Sequence, residues 1–457
     1  MKPAHLRTLL LTALVFGCMT ASAQQAGQTA QPLKPVKNVI IMISDGQGFN
    51  QRDAASLYQY GQTGTQVYEQ FPVLRAMSTY PAGGGYDPLR AAADFGYVSH
   101  GVTDSAAAAT AMATGVKTYN GAIGVDPARQ PVKNILERAE ELGKATGIVT
   151  TVPFSHATPA GFAAHNVSRN SYGEIADEMI QRSALDVIMG CGNPYFDVNA
   201  RNADETHYTY VGRETWEALE KGTAGKDVDA DHNGVQDDAW TPITTKEQFQ
   251  SLATGRTPKR VAGVAQVAMT LQEGRSGNAK AAPFAVPLNQ GVPSLAEMSL
   301  AALNVLHQDS DGFAVMIEGG AIDMACHSNW PGRMIEEQID FNKAVEAVVA
   351  WVEKNSNWDE TLLIVTADHE TGYLTGPGSG PTAHPPLQPL VNNGAGRMPG
   401  MEFHSKEHTN QLVPLHARGA RALMFVALRK NADPARGPYV DNTDIARAAF
   451  AALEGKP

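Results

Sequence analysis

Residues 102–110 read Val-Thr-Asp-Ser-Ala-Ala-Ala-Ala-Thr, which places a serine between an aspartate and a run of small residues. Alanine is the strongest helix former and adds no bulk, so this run predicts a helix with Ser105 at or near its N-terminus. That end of a helix attracts anions such as phosphate. Ser105 is therefore a candidate nucleophile, and the alternative is a serine that only caps a buried helix.

Four further segments carry acidic residues and histidines. They are Ile43–Gly46, Ile317–His327, Val365–His369 and Glu407–Thr409. The first three follow or extend apolar, β-branched runs, which are typical of buried parallel strands. Ligand sites in an open α/β sheet gather at the carboxyl ends of its strands. We therefore expect these carboxylates and imidazoles to converge on one site.

The chemistry of these side chains indicates metal ions. Asp323 and His327 are four residues apart, so one helical turn would put them on the same face. Mixed oxygen and nitrogen ligands in groups of three suit zinc with an open position, whereas an all-oxygen group suits magnesium. A structural role explains any single pair, but an ordinary fold has no need for all of them beside a helix-mounted serine.

The order of these motifs resembles that of the alkaline phosphatases of the two-zinc, one-magnesium kind. The resemblance extends from about Asn38 to the C-terminus, and its most specific part is the alanine run with the Ala-Thr-Gly-Val-Lys-Thr-Tyr-Asn-Gly that ends at Gly121. It implies a bacterial metal-dependent phosphomonoesterase. Such an enzyme converts phosphate monoesters to an alcohol and inorganic phosphate through a phosphoserine, here on Ser105.

The resemblance also implies the roles of the site residues. It assigns three ligands to one zinc: Asp323, His327 and His408. It assigns five ligands to the second zinc and the magnesium: Asp45, Thr158, Glu318, Asp368 and His369. Arg169 corresponds to the guanidinium that clamps the phosphate, and Asp104 to the carboxylate that steadies it.

Two positions depart from the familiar pattern. Met324 stands where well-known members have a lysine or histidine near the phosphate, so Arg169 and the zincs would have to bind more of the anion. His156 stands where some members have aspartate and others histidine. Imidazole suits zinc or cobalt better than magnesium, so these ions are alternatives at the third site. A residue that bonds only to a water near the metal is the other interpretation of His156.

A possible calcium loop occurs at residues 229–237, which read Asp-Ala-Asp-His-Asn-Gly-Val-Gln-Asp. Its candidate oxygen ligands are Asp229, Asp231, Asn233 and Asp237. Gly234 would permit the sharp turn, but Trp240 stands where such loops usually have glutamate. The alternative is a solvated acidic turn.

Two other functions remain open at this point. One is a phosphodiesterase or other phosphate-transfer enzyme of the same superfamily, which would need a wider pocket and usually a threonine nucleophile. The other is a calcium-dependent binding protein on an inactive hydrolase fold. The intact set of Ser105, Arg169 and metal-ligand matches argues against an inactive fold.

The spread of the motifs from Asp45 to His408 predicts one large α/β domain over residues 24–457, because a domain boundary between them would split the site. Alternating strand and helix patterns predict a doubly wound, mostly parallel central sheet flanked by helices, with inserted loops. An insertion is expected at about 197–290. A loop rich in proline and glycine, at about 376–404, is expected to cover the active site.

The N-terminus indicates export. Lys2 and Arg7 precede an apolar run, and Ala21-Ser-Ala23 offers small residues for cleavage, which predicts a signal peptide over residues 1–23. Lipidation of Cys18 is the alternative. We expect a periplasmic or secreted protein with no membrane span.

The net charge of the chain indicates which kinds of binding partner to expect. Cleavage near Ala23 would remove two basic residues and no acidic one, which shifts the net charge from −11 to −13. This charge argues against a role on nucleic acid and is compatible with small phosphate monoesters at a metal site. The sequence leaves both a monomer and a homodimer open. Cys191 and Cys326 would be left to form a disulfide or to stay free.

Overall fold

The computed structural model describes residues 34–230 and 234–456. Its strands are β1 (Asn38–Ser44), β2 (Val73–Ser78), β3 (Ala145–Pro153), β4 (Val187–Cys191), β5 (Thr241–Ile243), β6 (Val261–Val264), β7 (Phe313–Gly319), β8 (Thr361–Thr366), β9 (Glu370–Thr371), β10 (Leu374–Thr375), β11 (Glu402–Phe403), β12 (His408–Thr409), β13 (Val413–Gly419), β14 (Asn431–Asp433) and β15 (Gly437–Asp441).

Its α-helices are α1 (Phe49–Tyr60), α2 (Pro88–Ala93), α3 (Ser105–Thr114), α4 (Ile135–Glu141), α5 (Ala157–Ala163), α6 (Tyr172–Asp177), α7 (Arg213–Glu220), α8 (Lys246–Leu252), α9 (Leu295–Leu306), α10 (Ala321–His327), α11 (Pro331–Asn355), α12 (Met424–Ala427) and α13 (Thr443–Glu454).

Eleven of the strands form one central sheet, in the order β14-β15-β2-β13-β8-β1-β7-β3-β4-β6-β5. From β8 to β5 each strand runs parallel to its neighbour. β13 is antiparallel to both β2 and β8. The predicted single large domain with a mostly parallel sheet is confirmed. Two small sheets, β10-β11 and β9-β12, lie outside the central one.

Helices cover both faces of the sheet, as the alternation along β1 shows. Every residue of β1 is buried. Val39 and Ile41 pack into a core that includes residues of α3 and α13, whereas Ile40 and Met42 pack into a second core with residues of α9 and α11. Successive side chains of a strand point to opposite faces, so the sheet has an apolar layer on each side. This is the predicted doubly wound arrangement.

Local sequence signals place the helices. Ser294 caps α9: its Oγ accepts a hydrogen bond from Glu297 N at 3.2 Å, and Glu297 Oε2 accepts one from Ser294 N at 2.8 Å. Pro331 opens α11, where a missing N–H has no consequence.

The two expected insertions have different structures. Residues 197–290 contain α7 and α8, and they also supply β5 and β6, which extend the central sheet at its edge. The loop at 376–404 packs against the C-terminal end of α1, where Asn392 Nδ2 donates to Gly61 O at 2.7 Å and Gly396 N donates to Tyr58 O at 2.8 Å.

The residues with the predicted signal peptide, 1–23, lie outside the described part of the chain. Within residues 34–230 and 234–456, no helix has the length and apolar character needed to cross a membrane. Cys191 at the end of β4 and Cys326 in α10 are both buried free thiols. The two cysteines therefore do not pair with each other.

Candidate active site

Ser105 is the first residue of α3, as the alanine run predicted. Asp104 caps the helix, because its Oδ1 accepts a hydrogen bond from Ala107 N at 2.9 Å. The small residues are required by close packing: a Cβ added at Gly161 of α5 would lie 2.7 Å from Ala109 Cβ. Ser105 is 2% exposed, and its Oγ lies 3.1 Å from His369 Nε2. A hydroxyl group therefore faces the predicted metal ligands.

His369 is the centre of one group of ligands. Its Nε2 lies 3.1 Å from Asp368 Oδ2 and 3.6 Å from Asp45 Oδ1. Asp45 directly follows β1, and Asp368 follows β8 with one residue between them. These two strands are parallel neighbours, so their carboxyl ends bring the two aspartates together.

A second group lies beside it. Asp323 and His327 share one face of α10, with His327 Nε2 3.3 Å from Asp323 Oδ2. His408, on β12, brings its Nε2 to 3.0 Å from His327 Nε2 and 3.5 Å from Asp323 Oδ1. The ring of His408 also stacks on that of His369 at 3.6 Å. The two groups of ligands are therefore in direct contact through these two imidazole rings.

The residues expected at a third metal lie at the start of α5 and at the end of β7. Thr158, in the first turn of α5, donates to Asp45 Oδ2 at 3.5 Å. Glu318 lies near the end of β7, where its Oε2 accepts a hydrogen bond from Thr150. His156 precedes α5, and its ring lies parallel to that of Tyr172 with the centroids 6.2 Å apart.

Four carboxyl groups are buried in this small volume: Asp45, Glu318, Asp323 and Asp368. Burial, followed by the neighbouring carboxylates, raises the pKa of Asp45 well above its ordinary value. Burial also raises the pKa of Glu318 to about 7. For Asp323, burial is outweighed by hydrogen bonds from His327 and His408, which hold its pKa well below the ordinary value. Bound cations would stabilise so much buried negative charge.

Atoms that lack partners identify where cations would fit. Within residues 34–230 and 234–456, four buried atoms of this site have no hydrogen-bond partner: Asp45 Oδ1, Glu318 Oε1, Asp368 Oδ2 and His156 Nδ1. Asp45, Asp368 and His369 each place one ligand atom within 4.8 Å of the others, and Asp323, His369 and His408 do the same. Buried polar atoms are normally bonded. These donor sets therefore fit metal ions.

Arg169 is held by Asp104, the residue that precedes Ser105. Its Nη1 donates to Asp104 Oδ2 at 3.0 Å, and the same oxygen accepts from Gly121 N at 3.0 Å. Asn120 Oδ1 accepts from Asp104 N at 3.1 Å. The side chain of Arg169 is 20% exposed. A guanidinium held in this way can still offer N–H groups to a phosphate.

The sequence analysis gave no role to several residues that support this site. Asn120 and Gly121 hold Asp104, and Thr371 contacts ligands of both groups. Only one signal pointed to Thr371: on an extended strand it lies two residues after His369 and therefore on the same face.

The predicted calcium loop is only partly described, because Asp231 and Asn233 lie outside the described residues. Asp229 Oδ2 accepts a hydrogen bond from Gly234 N at 2.9 Å, and Gly234 has a φ of 86°. The positive φ of Gly234 agrees with the role expected of this glycine, and calcium binding by the loop stays a prediction.

The fold and the site together define a class: an α/β metal-dependent hydrolase with a serine at a helix N-terminus. The chain belongs to the alkaline phosphatase family, whose sequence profile matches residues 36–417.

Individual proteins with similar sequences are also alkaline phosphatases. The alkaline phosphatase of Escherichia coli (strain K12) is 33% identical over 425 residues, which are 88% of this chain and 84% of that enzyme. Alkaline phosphatase 4 of Bacillus subtilis (strain 168) is 33% identical over 380 residues, or 80% of this chain and 68% of that enzyme. The chain is therefore a phosphomonoester hydrolase.

Solved structures of the family have the same fold. The alkaline phosphatase from the Antarctic bacterium TAB5 superposes with a TM-score of 0.62 at 27% identity, covering 92% of this chain and 98% of that one. A histidine-to-aspartate variant of the TAB5 enzyme has magnesium bound in its M3 site; it gives a TM-score of 0.63 at 27% identity, covering 92% of this chain and 99% of that one. The present chain, as a member of this family, is a metal-dependent enzyme.

Proposed function

We propose that the enzyme hydrolyses small phosphate monoesters in two steps, with Ser105 as the group that is transiently phosphorylated. In the first step a bond forms between Ser105 Oγ and phosphorus while the bond to the ester oxygen breaks; the proton of the Ser105 hydroxyl passes to water, and the leaving alkoxide takes a proton from water to become the alcohol. In the second step water attacks the phosphoserine and releases inorganic phosphate. The position of Ser105 at the start of α3 supports this role.

The surroundings of Ser105 favour metals over a serine–histidine pair alone. His369 Nε2 faces Ser105 Oγ, Asp368 Oδ2 and Asp45 Oδ1 within 3.6 Å. Burial lowers the pKa of His369, which favours the neutral ring. A neutral imidazole nitrogen and two buried carboxylate groups that converge at these distances call for a cation between them. This convergence is the observation that carries the proposal.

We assign the donors to two zinc ions and one magnesium. One zinc would be held by Asp323, His327 and His408, and the second by Asp45, Asp368 and His369. Thr158 and Glu318 would hold the magnesium with Asp45. When bound, the cations would neutralise the phosphoryl oxygens and activate the attacking hydroxyl groups.

Arg169 would orient the phosphoryl group. Its guanidinium is planar and can donate two parallel hydrogen bonds to phosphate oxygens. Asp104 holds the guanidinium in place through the 3.0 Å bond, and Asp104 is itself fixed by Gly121 N and Asn120. Most of the rate acceleration from these residues would therefore be positioning and charge neutralisation.

The identity of the third metal depends on His156. The TAB5 variant that has aspartate in place of a histidine binds magnesium in its M3 site. In this chain His156 Nδ1 is buried without a hydrogen-bond partner among the described residues, and burial lowers the pKa of the ring to about 4. A neutral imidazole could bind zinc or cobalt here, so these ions would compete with magnesium.

We also propose that the mature chain, residues 24–457, acts in the periplasm or outside the cell after cleavage near Ala23. The N-terminal charge and apolar pattern supports export. A homodimer is a further expectation, which sedimentation of the purified protein would test.

Metal removal tests the proposed function. Chelation should abolish hydrolysis of p-nitrophenyl phosphate and lower the thermal midpoint, because ligands from distant segments are tied together by the ions. Zinc with magnesium should restore both. His408→Ala should lose zinc, whereas the same change at the exposed His207 should not. Undiminished turnover by the metal-free protein would show that the two-zinc assignment is wrong.

A further inference from the structure

Thr371 contacts residues of both proposed zinc sites with one hydroxyl group. It is the last residue of β9 and is fully buried. Its Oγ1 lies 2.5 Å from Asp323 Oδ1 and 3.2 Å from His369 Nδ1. In the proposed assignment, Asp323 belongs to one zinc and His369 to the other. The hydroxyl is therefore a direct link between the two ligand groups.

The number of protons on a hydroxyl determines which of these two hydrogen bonds Thr371 donates and which it accepts. A threonine hydroxyl has one proton to donate, and an ionised carboxylate can only accept. The proton of Thr371 Oγ1 therefore points to Asp323 Oδ1. The oxygen of Thr371 can then only accept from His369 Nδ1, which must carry the ring proton. His369 Nε2 is consequently left with its lone pair facing Ser105, Asp45 and Asp368.

The backbone around Thr371 makes the contact rigid. Thr371 N donates to Gly46 O at 3.1 Å, and Gly46 N donates to Asp368 Oδ1 at 3.1 Å. Thr371 is also the register partner of His408 in the β9-β12 pair. The same residue therefore lies next to the ligands that follow β1 and β8 and to the ligand on β12.

We propose that Thr371 is a positioning residue that fixes the proton of His369 on Nδ1 and, through the same hydroxyl, holds Asp323 in its ligand orientation. Groups that hold metal ligands in orientation typically change metal affinity by 10- to 100-fold when they are removed. Loss of this hydroxyl should weaken both sites, since each has one ligand bonded to it. The inference rests on the proposed assignment of Asp323 and His369 as zinc ligands.

Three variants separate the hydroxyl from the rest of the side chain. Thr371→Val keeps the shape and removes the hydroxyl, which leaves His369 Nδ1–H buried without an acceptor. Thr371→Ser keeps the hydroxyl and removes a methyl group. Thr361→Val is the matched control, because Thr361 is equally buried and its Oγ1 accepts a hydrogen bond from Asn38 Nδ2 at the opposite end of β8.

The readout is zinc affinity, measured by competition between the zinc-loaded protein and a chelating indicator, with zinc alone as the probe. We expect Thr371→Val to bind both zinc ions about 10- to 100-fold more weakly than the wild type. Thr371→Ser and Thr361→Val should stay within a few-fold of it. A wild-type affinity in Thr371→Val, or an equal loss in Thr371→Ser, would overturn the inference.

The same titration separates this inference from the proposed function. If the wild type fails to bind two zinc ions, the metal assignment itself is wrong. If the wild type binds two and Thr371→Val binds them equally well, the assignment stands and only the role of Thr371 fails.

Discussion

Gly46 lies in close contact with residues of the metal site, and Gly46→Ala tests this packing. Its backbone has a φ of 76°, a conformation that residues with a Cβ rarely adopt. A Cβ added there would lie 2.7 Å from Asp323 Cα and 3.0 Å from Thr371 Oγ1. The first of these atoms is backbone of α10 and cannot move away alone. Asp323 would have to shift with it.

The size of the effect follows from two contributions. A left-handed conformation costs a residue with a Cβ about 1–2 kcal/mol. Forcing an extra carbon into a packed site costs about 1–3 kcal/mol more. We therefore expect Gly46→Ala to lower the free energy of unfolding by about 2–5 kcal/mol in total. The displaced Asp323 should also lower the affinity for zinc.

Gly64→Ala provides a matched control. Gly64 has the same φ of 76°, but a Cβ there would have nothing within 4 Å. Urea unfolding of the zinc-saturated proteins and their zinc content would be measured side by side. Gly64→Ala should show only the backbone contribution and full zinc content. If Gly46→Ala is no less stable than Gly64→Ala and retains its zinc, the steric argument is wrong.

Three further predictions concern phosphate binding and pH. Arg169→Ala should weaken inhibition by inorganic phosphate by about 1.5–3 kcal/mol, or roughly 10- to 150-fold, and an unchanged inhibition constant would exclude Arg169 from the phosphate site. Met324→Lys should tighten inhibition by inorganic phosphate, and no change there would show that this side chain does not face the anion. His416 is buried, and burial, helped by the charge of Arg52, lowers its pKa to about 3. Because the unfolded chain takes up the proton first, the His416 contribution to stability falls as pH drops from about 6.5 towards 3. Relative to the wild type, His416→Leu should therefore gain about 1.6 kcal/mol in unfolding free energy between pH 6.5 and 5, and parallel pH profiles would contradict this.

The parts of the site that sequence predicts are those that local patterns control. Asp45 and Asp368 each come just after a buried strand, and parallel strands bring their carboxyl ends to one edge. The spacing of Asp323 and His327 places both on one helical turn, as observed. Ser105 opens a helix because alanines follow it and Asp104 can cap it. Each of these features depends on a few neighbouring residues.

Features that depend on distant contacts were not predictable. β5 and β6 have three and four residues, too few for a periodicity to be recognised. β6 forms because the edge of β4 is there to pair with, and β5 then pairs with β6. Thr371 is one of many threonines in the sequence. Its role arises only when β9 brings its hydroxyl between Asp323 and His369, which lie 46 residues apart in the chain.

The proposed role of Ser105 as the covalent nucleophile can be tested by finding where phosphate becomes attached to the enzyme. The enzyme would be mixed with labelled phosphate or a labelled monoester, quenched in acid and digested, and the labelled peptide sequenced. We expect a single label on Ser105, in the peptide that carries the alanine run, and no label in Ser105→Ala. Label on a different residue, or an equally labelled Ser105→Ala protein, would show that Ser105 is not the covalent nucleophile.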